Sequence, residues 1–151
     1  MIWGCMMAQG IGYACHIDGK MNAEGYNNIL NENLMNSLLH YGLNVDDIIF
    51  QQDNDPKHTS RRAIEWLINH NIRILEWPAQ SSDHNPIEHL WQHLKQQLAK
   101  YETDPTIIFN LRQRIETEWS KISPKICCNL VESMPRRIAE VLKAKGGYTK
   151  Y

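Results

Sequence analysis

Two carboxylates occupy positions in this sequence where a metal ion could be bound. Asp53 follows the apolar run at 48–50, and Glu88 lies in the first turn of a helix that the Asn85-Pro86 pair predicts. The end of a strand and the start of a helix can together hold a pair of metal ligands. The spacing, 88 − 53 − 1 = 34 intervening residues, is compatible with such a site.

A carboxylate pair that binds metal ions can support several reactions, and reaction at a phosphodiester is one of them. A water or a 3′-hydroxyl must be made nucleophilic and the leaving oxygen stabilised, and two Mg²⁺ ions about 4 Å apart can do both. Mg²⁺ prefers oxygen ligands and takes one or two carboxylates per ion. We therefore expect Asp53 to bridge two ions and Glu88 to bind one of them, with Mg²⁺ or Mn²⁺ as the cofactor.

Each carboxylate also has an ordinary structural explanation. An Asp before Asn-Asp-Pro is usually a turn former, and a Glu in a first helical turn usually complements the helix dipole. A zinc-dependent hydrolase is a further alternative, because His89 and His93 stand at i and i+4 with His84 nearby. The order His-Glu-x-x-His is absent, however, and spacing alone leaves these interpretations open.

Basic side chains near the two carboxylates could bind phosphate. The net charge of −1 excludes a strongly basic coat protein, but the charge is unevenly spread. One basic cluster follows Asp53 directly, and residues 134–151 carry five Lys or Arg against one Glu, a local balance of 5 − 1 = +4. A solvated helix face is the simpler alternative. The candidate phosphate-binding cations are Lys57, Arg61, Arg62, Arg136 and Arg137.

The elements that must position Asp53 are predicted from apolar periodicity. Short β-prone runs joined across Gln9-Gly10 indicate a hairpin, and apolar residues at helical spacing indicate an amphipathic helix that ends at Gly42. A strand, a helix and a second strand then form a βαβ unit, which implies parallel pairing and a right-handed crossover. The predicted bounds are 2–7 and 11–17 for the hairpin, 22–41 for the helix, and 47–52, 58–69 and 72–75 for the βαβ unit.

The second half of the chain is predicted to be mostly helical. An irregular loop from Trp77 ends at Asn85, which caps a helix reaching Lys100. Ile87, Trp91, Leu94 and Leu98 form one stripe of that helix, so Glu88 lies about 100° from its centre, at the boundary between core and solvent. Further helices are predicted at 105–121, with Ile108 in its apolar stripe, at 124–133 and at 135–145, followed by a flexible tail at 146–151.

Composition limits the class of protein. The 151 residues are enough for one domain. The four cysteines include no Cys-x-x-Cys pair, so a secreted disulfide framework is not indicated. No run is long enough for a membrane span and no signal peptide is recognisable. We expect a soluble protein in a reducing compartment, without a membrane partner.

Several ordered blocks of this sequence resemble the catalytic core of Tc/mariner-type DNA transposases. The similarity extends over essentially all 151 residues. The blocks are Trp3-Gly4-Cys5, Gln51-Gln52-Asp53-Asn54, His58, Trp77-Pro78-Ala79-Gln80-Ser81, Asn85-Pro86-Ile87-Glu88, Leu90-Trp91 and Ala144-Lys145-Gly146-Gly147-Tyr148. Ser82 and His84 depart from the family's Pro and Leu, and Asp55 stands where the family usually has a small residue.

The resemblance implies a ribonuclease H-like α/β fold with a mixed sheet flanked by helices and a helical C-terminal part. It also implies an Asp-Asp-Glu metal site, of which Asp53 and Glu88 match the second and third members, with His58 contacting Asp53 or a phosphate. The strand that carries the family's first Asp precedes Trp3-Gly4 and is missing here, as is the DNA-binding region. We expect a partial catalytic domain at 1–145, with Asn54 and Asn85 as supporting residues of the metal site.

The implied function is metal-dependent DNA cleavage and strand transfer, with transposon ends and target DNA as partners. We expect the chain to be inactive alone, because the first Asp is absent, and to be nuclear. A homodimer, or a longer transposase copy acting in trans, is a candidate partner. The alternative function is a non-catalytic nucleic-acid-binding or interaction module that uses the basic clusters.

Overall fold

A hairpin begins the chain in the computed structural model, which describes residues 1–76 and 85–144. Strand β1 (Ile2–Trp3) pairs antiparallel with β4 (Cys15–His16), and β2 (Met6–Met7) pairs antiparallel with β3 (Gly10–Ile11). Between the two ladders the Gly12 amide donates to the Cys5 carbonyl at 2.8 Å. The predicted hairpin is therefore confirmed, although its strands are interrupted.

The chain divides into two compact units. The first contains Met1–Cys5 and the described residues of Gly12–Ser81, and the second contains Met6–Ile11 and the described residues of Ser82–Tyr151. The predicted loop from Trp77 to His84 and the predicted tail at 146–151 lie outside the described residues. Each unit is considered separately below.

One long helical segment forms much of the core of the first unit. It consists of α1 (Ala23–Ile29), a π-helical turn at Leu30–Leu34 and α2 (Met35–His40). The Asn22 side chain accepts a hydrogen bond from the Gly25 amide at 2.8 Å and so caps the first turn. Gly42, with a φ of 63°, ends the segment as predicted, because that conformation favours glycine. The buried face contains Tyr26, Leu30, Leu34, Ser37 and Leu38.

The predicted βαβ unit follows and is confirmed in its element order. Strand β5 (Ile49–Phe50) pairs in parallel with β6 (Arg73–Ile74), and α3 (Arg61–Asn69) connects them. The predicted bounds of 47–52 and 58–69 were too wide. A 3₁₀ turn occupies Val45–Asp47, and the amides of His58 and Thr59 both bond to the Asp55 carbonyl. These bonds form a turn, so α3 begins only after its cap, Ser60.

Four helices make up most of the second unit. They are α4 (Pro86–Leu98), α5 (Ile108–Ser120), α6 (Pro124–Glu132) and α7 (Met134–Lys143). The buried face of α4 is Pro86, Leu90 and Leu94, so the predicted stripe was centred wrongly and Glu88 is exposed. Ile108 is also exposed, because α5 starts there rather than at residue 105 and the first turn lies outside the core.

The class is mixed α/β, but the strands are short. In the part of the chain that is described, they form three separate two-stranded ladders rather than one mixed sheet, and β5 pairs only with β6. Cys5, Cys15, Cys127 and Cys128 are free thiols. No helix in residues 1–76 and 85–144 is long and apolar enough to cross a membrane.

Candidate active site

Asp53 lies three residues beyond β5, and 54% of its side chain is exposed. Its Oδ1 atom is 2.6 Å from His58 Nδ1 and accepts a hydrogen bond from the Asp55 amide at 3.1 Å. A carboxylate oxygen accepts, so the Nδ1 atom is the donor of this hydrogen bond. Among the described residues no hydrogen bond or ion pair reaches Oδ2. The predicted contact between His58 and Asp53 is present.

His58 is held from two sides. The Gln52 Nε2 atom donates to the His58 carbonyl at 3.1 Å, and the Tyr26 ring lies against the imidazole with 4.2 Å between centroids. The Tyr26 hydroxyl donates to Gln52 Oε1 at 2.5 Å. Only 15% of the His58 side chain is exposed, and within the described residues its Nε2 atom is buried without a hydrogen-bond partner.

Tyr26 connects this site to the core of the first unit, because only 1% of its surface is exposed. Burial raises the pKa of the Tyr26 hydroxyl well above its ordinary value, and the nearby carboxyl group of Asp53 raises it further. The hydroxyl therefore stays protonated and remains a hydrogen-bond donor at any ordinary pH.

The basic cluster after Asp53 is paired with carboxylates. Lys57 Nζ is 2.7 Å from Asp55 Oδ2, and the Lys57 amide donates to Asp55 Oδ1 at 2.9 Å. These hydrogen bonds, the side-chain one first, lower the pKa of Asp55. The other two cations pair in the same way. Arg61, 91% exposed, contacts Glu65 at 2.7 Å, and Arg62 contacts Glu24 at 3.3 Å.

Glu88 stands in the first turn of α4, as the sequence predicts, and is exposed. Asn85 is the N-cap residue with extended backbone, and its carbonyl accepts from the Glu88 amide at 3.1 Å. Within residues 85–144 nothing forms an ion pair with the Glu88 carboxylate. Asn54, the other predicted supporting residue, is exposed beside Asp53.

The remaining predicted phosphate ligands lie on α7 and differ in exposure. Arg136 is exposed, whereas Arg137 is only 3% exposed. Arg137 donates from Nε to Ser133 Oγ at 2.8 Å, and its Nη2 atom is 3.5 Å from His89 Nε2. Burial, and then the charge of Arg137, lower the pKa of His89. In this conformation Arg137 belongs to the interior of the second unit.

The predicted carboxylate ligands, each taken in its own unit, are of a type that suits a hard cation better than zinc. Asp53 and Glu88 both present exposed carboxylate oxygens, which are the ligands that Mg²⁺ prefers. Across residues 1–76 and 85–144, no three His, Cys, Asp or Glu side chains lie close enough together to hold a metal ion. The predicted zinc ligand His84 lies outside the described residues, and His93 Nε2 is instead 3.5 Å from the side-chain Nε2 atom of Gln97.

Tyr26 and Gln52 are the residues of this site that sequence reasoning missed. Tyr26 fits the apolar stripe of its helix and Gln52 precedes the carboxylate, so neither signals a role alone. Their contact joins positions 26 residues apart, which no local pattern predicts. A buried tyrosine hydroxyl needs a partner, and that requirement was the available signal.

The sequence pattern of the DDE superfamily endonucleases matches residues 1–107, about two thirds of the chain. The chain therefore belongs to the DDE superfamily endonuclease family. Its similarity to transposases of the Tc/mariner group confirms the resemblance noted in the sequence.

Two nematode transposases are similar to the whole chain. The transposable element Tcb1 transposase of Caenorhabditis briggsae is 40% identical over 154 residues, and the Tc1 transposase of Caenorhabditis elegans is 37% identical over 153. Each alignment covers 100% of this chain and 54% of the relative. The chain thus spans about half the length of these transposases.

Solved structures of the Mos1 mariner transposase share the fold. Its catalytic domain with Raltegravir and Mg has a TM-score of 0.83 at 20% identity, covering 99% of this chain and 76% of that domain. The Mos1 paired end complex with Mn has a TM-score of 0.86 at 20% identity, covering 99% of this chain and 44% of that one. At this identity the likeness establishes the fold alone.

Proposed function

We propose that this chain is part of a Tc/mariner-type transposase catalytic domain that supplies two carboxylates for metal-dependent DNA strand cleavage and strand transfer. The observation that carries the proposal is the geometry of Asp53, whose Oδ1 atom is fixed by His58 and the Asp55 amide. Family membership and the Mos1 structures with Mg and Mn support a divalent cofactor. The Mos1 paired-end complexes support DNA as the partner.

The chain's own contribution is to hold ligands in place. His58 and the Asp55 amide bind one carboxylate oxygen of Asp53, and no hydrogen bond from the described residues reaches Oδ2, so this oxygen could bind a cation. Glu88 lies in the first turn of α4, whose backbone positions it. Bound Mg²⁺ would activate the attacking hydroxyl or water and stabilise the leaving oxygen. Asp53 and Glu88 would hold it, with Asn54 and Asn85 beside them.

We propose further that these 151 residues do not cleave DNA by themselves. Two carboxylates share two Mg²⁺ ions less well than the three of the family's site, because Mg²⁺ demands near-ideal octahedral coordination. Activity would then need an acidic residue from elsewhere, supplied by another segment, a second copy or a longer transposase in trans. DNA transposition in the nucleus is the setting that this function implies.

Magnesium-dependent DNA binding tests this proposal. We expect Mg²⁺ to tighten binding of the chain to a short DNA duplex, because a cation on Asp53 also attracts phosphate, and we expect no cleavage. Asp53→Asn should remove the Mg²⁺ effect, whereas Asp46→Asn, a change to another exposed carboxylate of the first unit, should leave it intact. Cleavage in Mg²⁺ that disappears on Asp53→Asn would contradict the proposed inactivity.

The non-catalytic nucleic-acid module makes the opposite prediction in the same experiment. Its binding would weaken steeply with salt, since phosphate contacts release counterions, and would ignore both Mg²⁺ and Asp53→Asn. Carboxylate partners of Lys57, Arg61 and Arg62 count against this alternative, because they offset the charge of one of the two basic clusters that it would use.

A further inference from the structure

We propose that Tyr26 and Gln52 are positioning residues of the Asp53 site: they hold His58, and His58 fixes the Asp53 carboxylate. The inference rests on the proposed function of Asp53 as a metal ligand. It assigns a role in that site to a side chain from α1, which the sequence suggested only as part of the core.

The first step is the bond between His58 and Asp53. At 2.6 Å, a donated Nδ1–H on a carboxylate oxygen is a short, charge-assisted contact. It restrains rotation of the carboxylate, and residues that orient metal ligands in this manner strongly influence metal affinity. Because Asp53 is itself exposed, little else in the described residues restrains it.

The second step is the restraint on His58. His58 lies in a turn between β5 and α3, so neither a helix nor a strand restrains it. The Tyr26 ring supports one face of the imidazole, at 4.2 Å between centroids, and Gln52 Nε2 holds the His58 backbone carbonyl. Side chain and main chain of His58 are thus fixed by two different neighbours.

The third step is the hydroxyl of Tyr26, which orients Gln52. An amide group has an acceptor end and a donor end. Because the hydroxyl donates to Oε1 at 2.5 Å, the Nε2 end must face the His58 carbonyl. The contacts therefore form a closed circuit of Tyr26, Gln52 and His58. Tyr26→Phe would preserve the ring contact with His58 and remove the hydrogen bond that orients Gln52.

The tautomer of His58 offers a test, because a purely structural role of Tyr26 and Gln52 would leave that tautomer unchanged. The full 151-residue chain is labelled with ¹⁵N-histidine and studied by NMR at neutral pH. The His58 signal is assigned by its loss in His58→Gln. We expect His58 to be protonated at Nδ1. Tyr26→Phe should increase the fraction of His58 that is protonated at Nε2. Gln52→Met should have the same effect and provides the test if Tyr26→Phe folds poorly. Tyr13→Phe, which removes an exposed hydroxyl in the same unit, is the matched control.

Mn²⁺ affinity of the same proteins gives the second readout. Tyr26→Phe should weaken Mn²⁺ binding about tenfold, the lower end of the range for residues that orient metal ligands, and Tyr13→Phe should not. If Tyr26→Phe and Gln52→Met both fold and the His58 tautomer is unchanged in both, the positioning role is overturned. This holds even if Asp53→Asn abolishes Mn²⁺ binding and so supports the proposed function. If the tautomer changes but Asp53→Asn leaves Mn²⁺ binding unaffected, the proposed function is overturned and the positioning of Asp53 is retained.

Discussion

Asp53 is the exposed end of a series of contacts that begins in the core at Tyr26. Its immediate surroundings combine a buried aromatic ring, an amide and an imidazole, each of which holds the next. An exposed carboxylate on a turn would ordinarily sample several orientations. Here a largely buried histidine fixes one oxygen of an exposed carboxylate, and among the described residues the other oxygen has no hydrogen bond, which suits a metal ligand.

The pairing of Asp55 with Lys57 should make stability depend on pH. The folded pKa of Asp55 lies below its ordinary value of 3.8, so the ion pair stabilises the fold above that pH and the contribution is lost as pH falls through the folded pKa. We expect Asp55→Asn to lower stability at pH 6 and to have little effect near pH 2. Urea unfolding of both proteins across this range measures the difference, and an equal difference at every pH would contradict the prediction.

The sequence predicted part of this residue-scale arrangement. Asp53 and its contact with His58 follow from the block Gln51 to His58, since the two residues are close in the chain. Tyr26 and Gln52 could not be recognised, because their roles arise only when α1 packs near the turn after β5. The ion pair between Arg62 and Glu24 could not be predicted, because the two lie 38 residues apart in the chain.

The helical elements owe their positions to a few buried side chains, and α3 provides a clear test. Leu67 is fully buried, whereas the next residue, Ile68, is exposed. We expect Leu67→Ala to destabilise the protein by about 2–5 kcal/mol, because a buried cavity is left behind. Ile68→Ala on the same helix should cost less than about 0.5 kcal/mol. Chemical unfolding measures both, and similar costs would show that α3 packs differently.

Alanine substitution should destabilise the protein at one glycine of the first unit and stabilise it at another. A Cβ atom on Gly12 would clash with Cys5 Sγ and lie 2.6 Å from Ser37 Oγ, whereas on Gly25 its nearest neighbour is 3.4 Å away. Gly12→Ala should destabilise by about 1–3 kcal/mol through overpacking. Gly25→Ala lies in a helix and should stabilise by about 0.4–1 kcal/mol. Thermal unfolding compares them, and a neutral Gly12→Ala would contradict the packing of the hairpin against α2.

Periodicity predicted the elements better than their limits. The order of the hairpin, α1, β5, α3 and β6 agrees with the sequence, because each has a regular apolar pattern. The π turn at Leu30–Leu34 was not predicted, since one wider turn barely disturbs that pattern. The start of α3 was misplaced because the Asp55 turn precedes it. The buried face of α4 was misjudged because Leu90 and Ile87 are both apolar, and only packing decides between them.

At the scale of the whole molecule, the short strands suggest marginal stability. Strand β5 has one ladder partner in the part of the chain that is described, and its Ile49 side chain is exposed. An apolar strand edge of this kind favours association between chains. We expect the purified chain to melt at low temperature and to aggregate on heating. Ile49→Lys should reduce light scattering during the melt, since charged residues protect strand edges; a cooperative, high-temperature melt of a monomer would contradict this expectation.

Mn²⁺ tests directly the proposal that Asp53 and Glu88 bind a divalent metal ion. Paramagnetic broadening of backbone amide signals identifies the residues near the ion, without any need for cleavage. We predict broadening around Asp53 and around Glu88 as Mn²⁺ is added, reversed by excess Mg²⁺ and lost in Asp53→Asn. Broadening elsewhere, or broadening around Asp53 that persists in Asp53→Asn, would contradict the assignment.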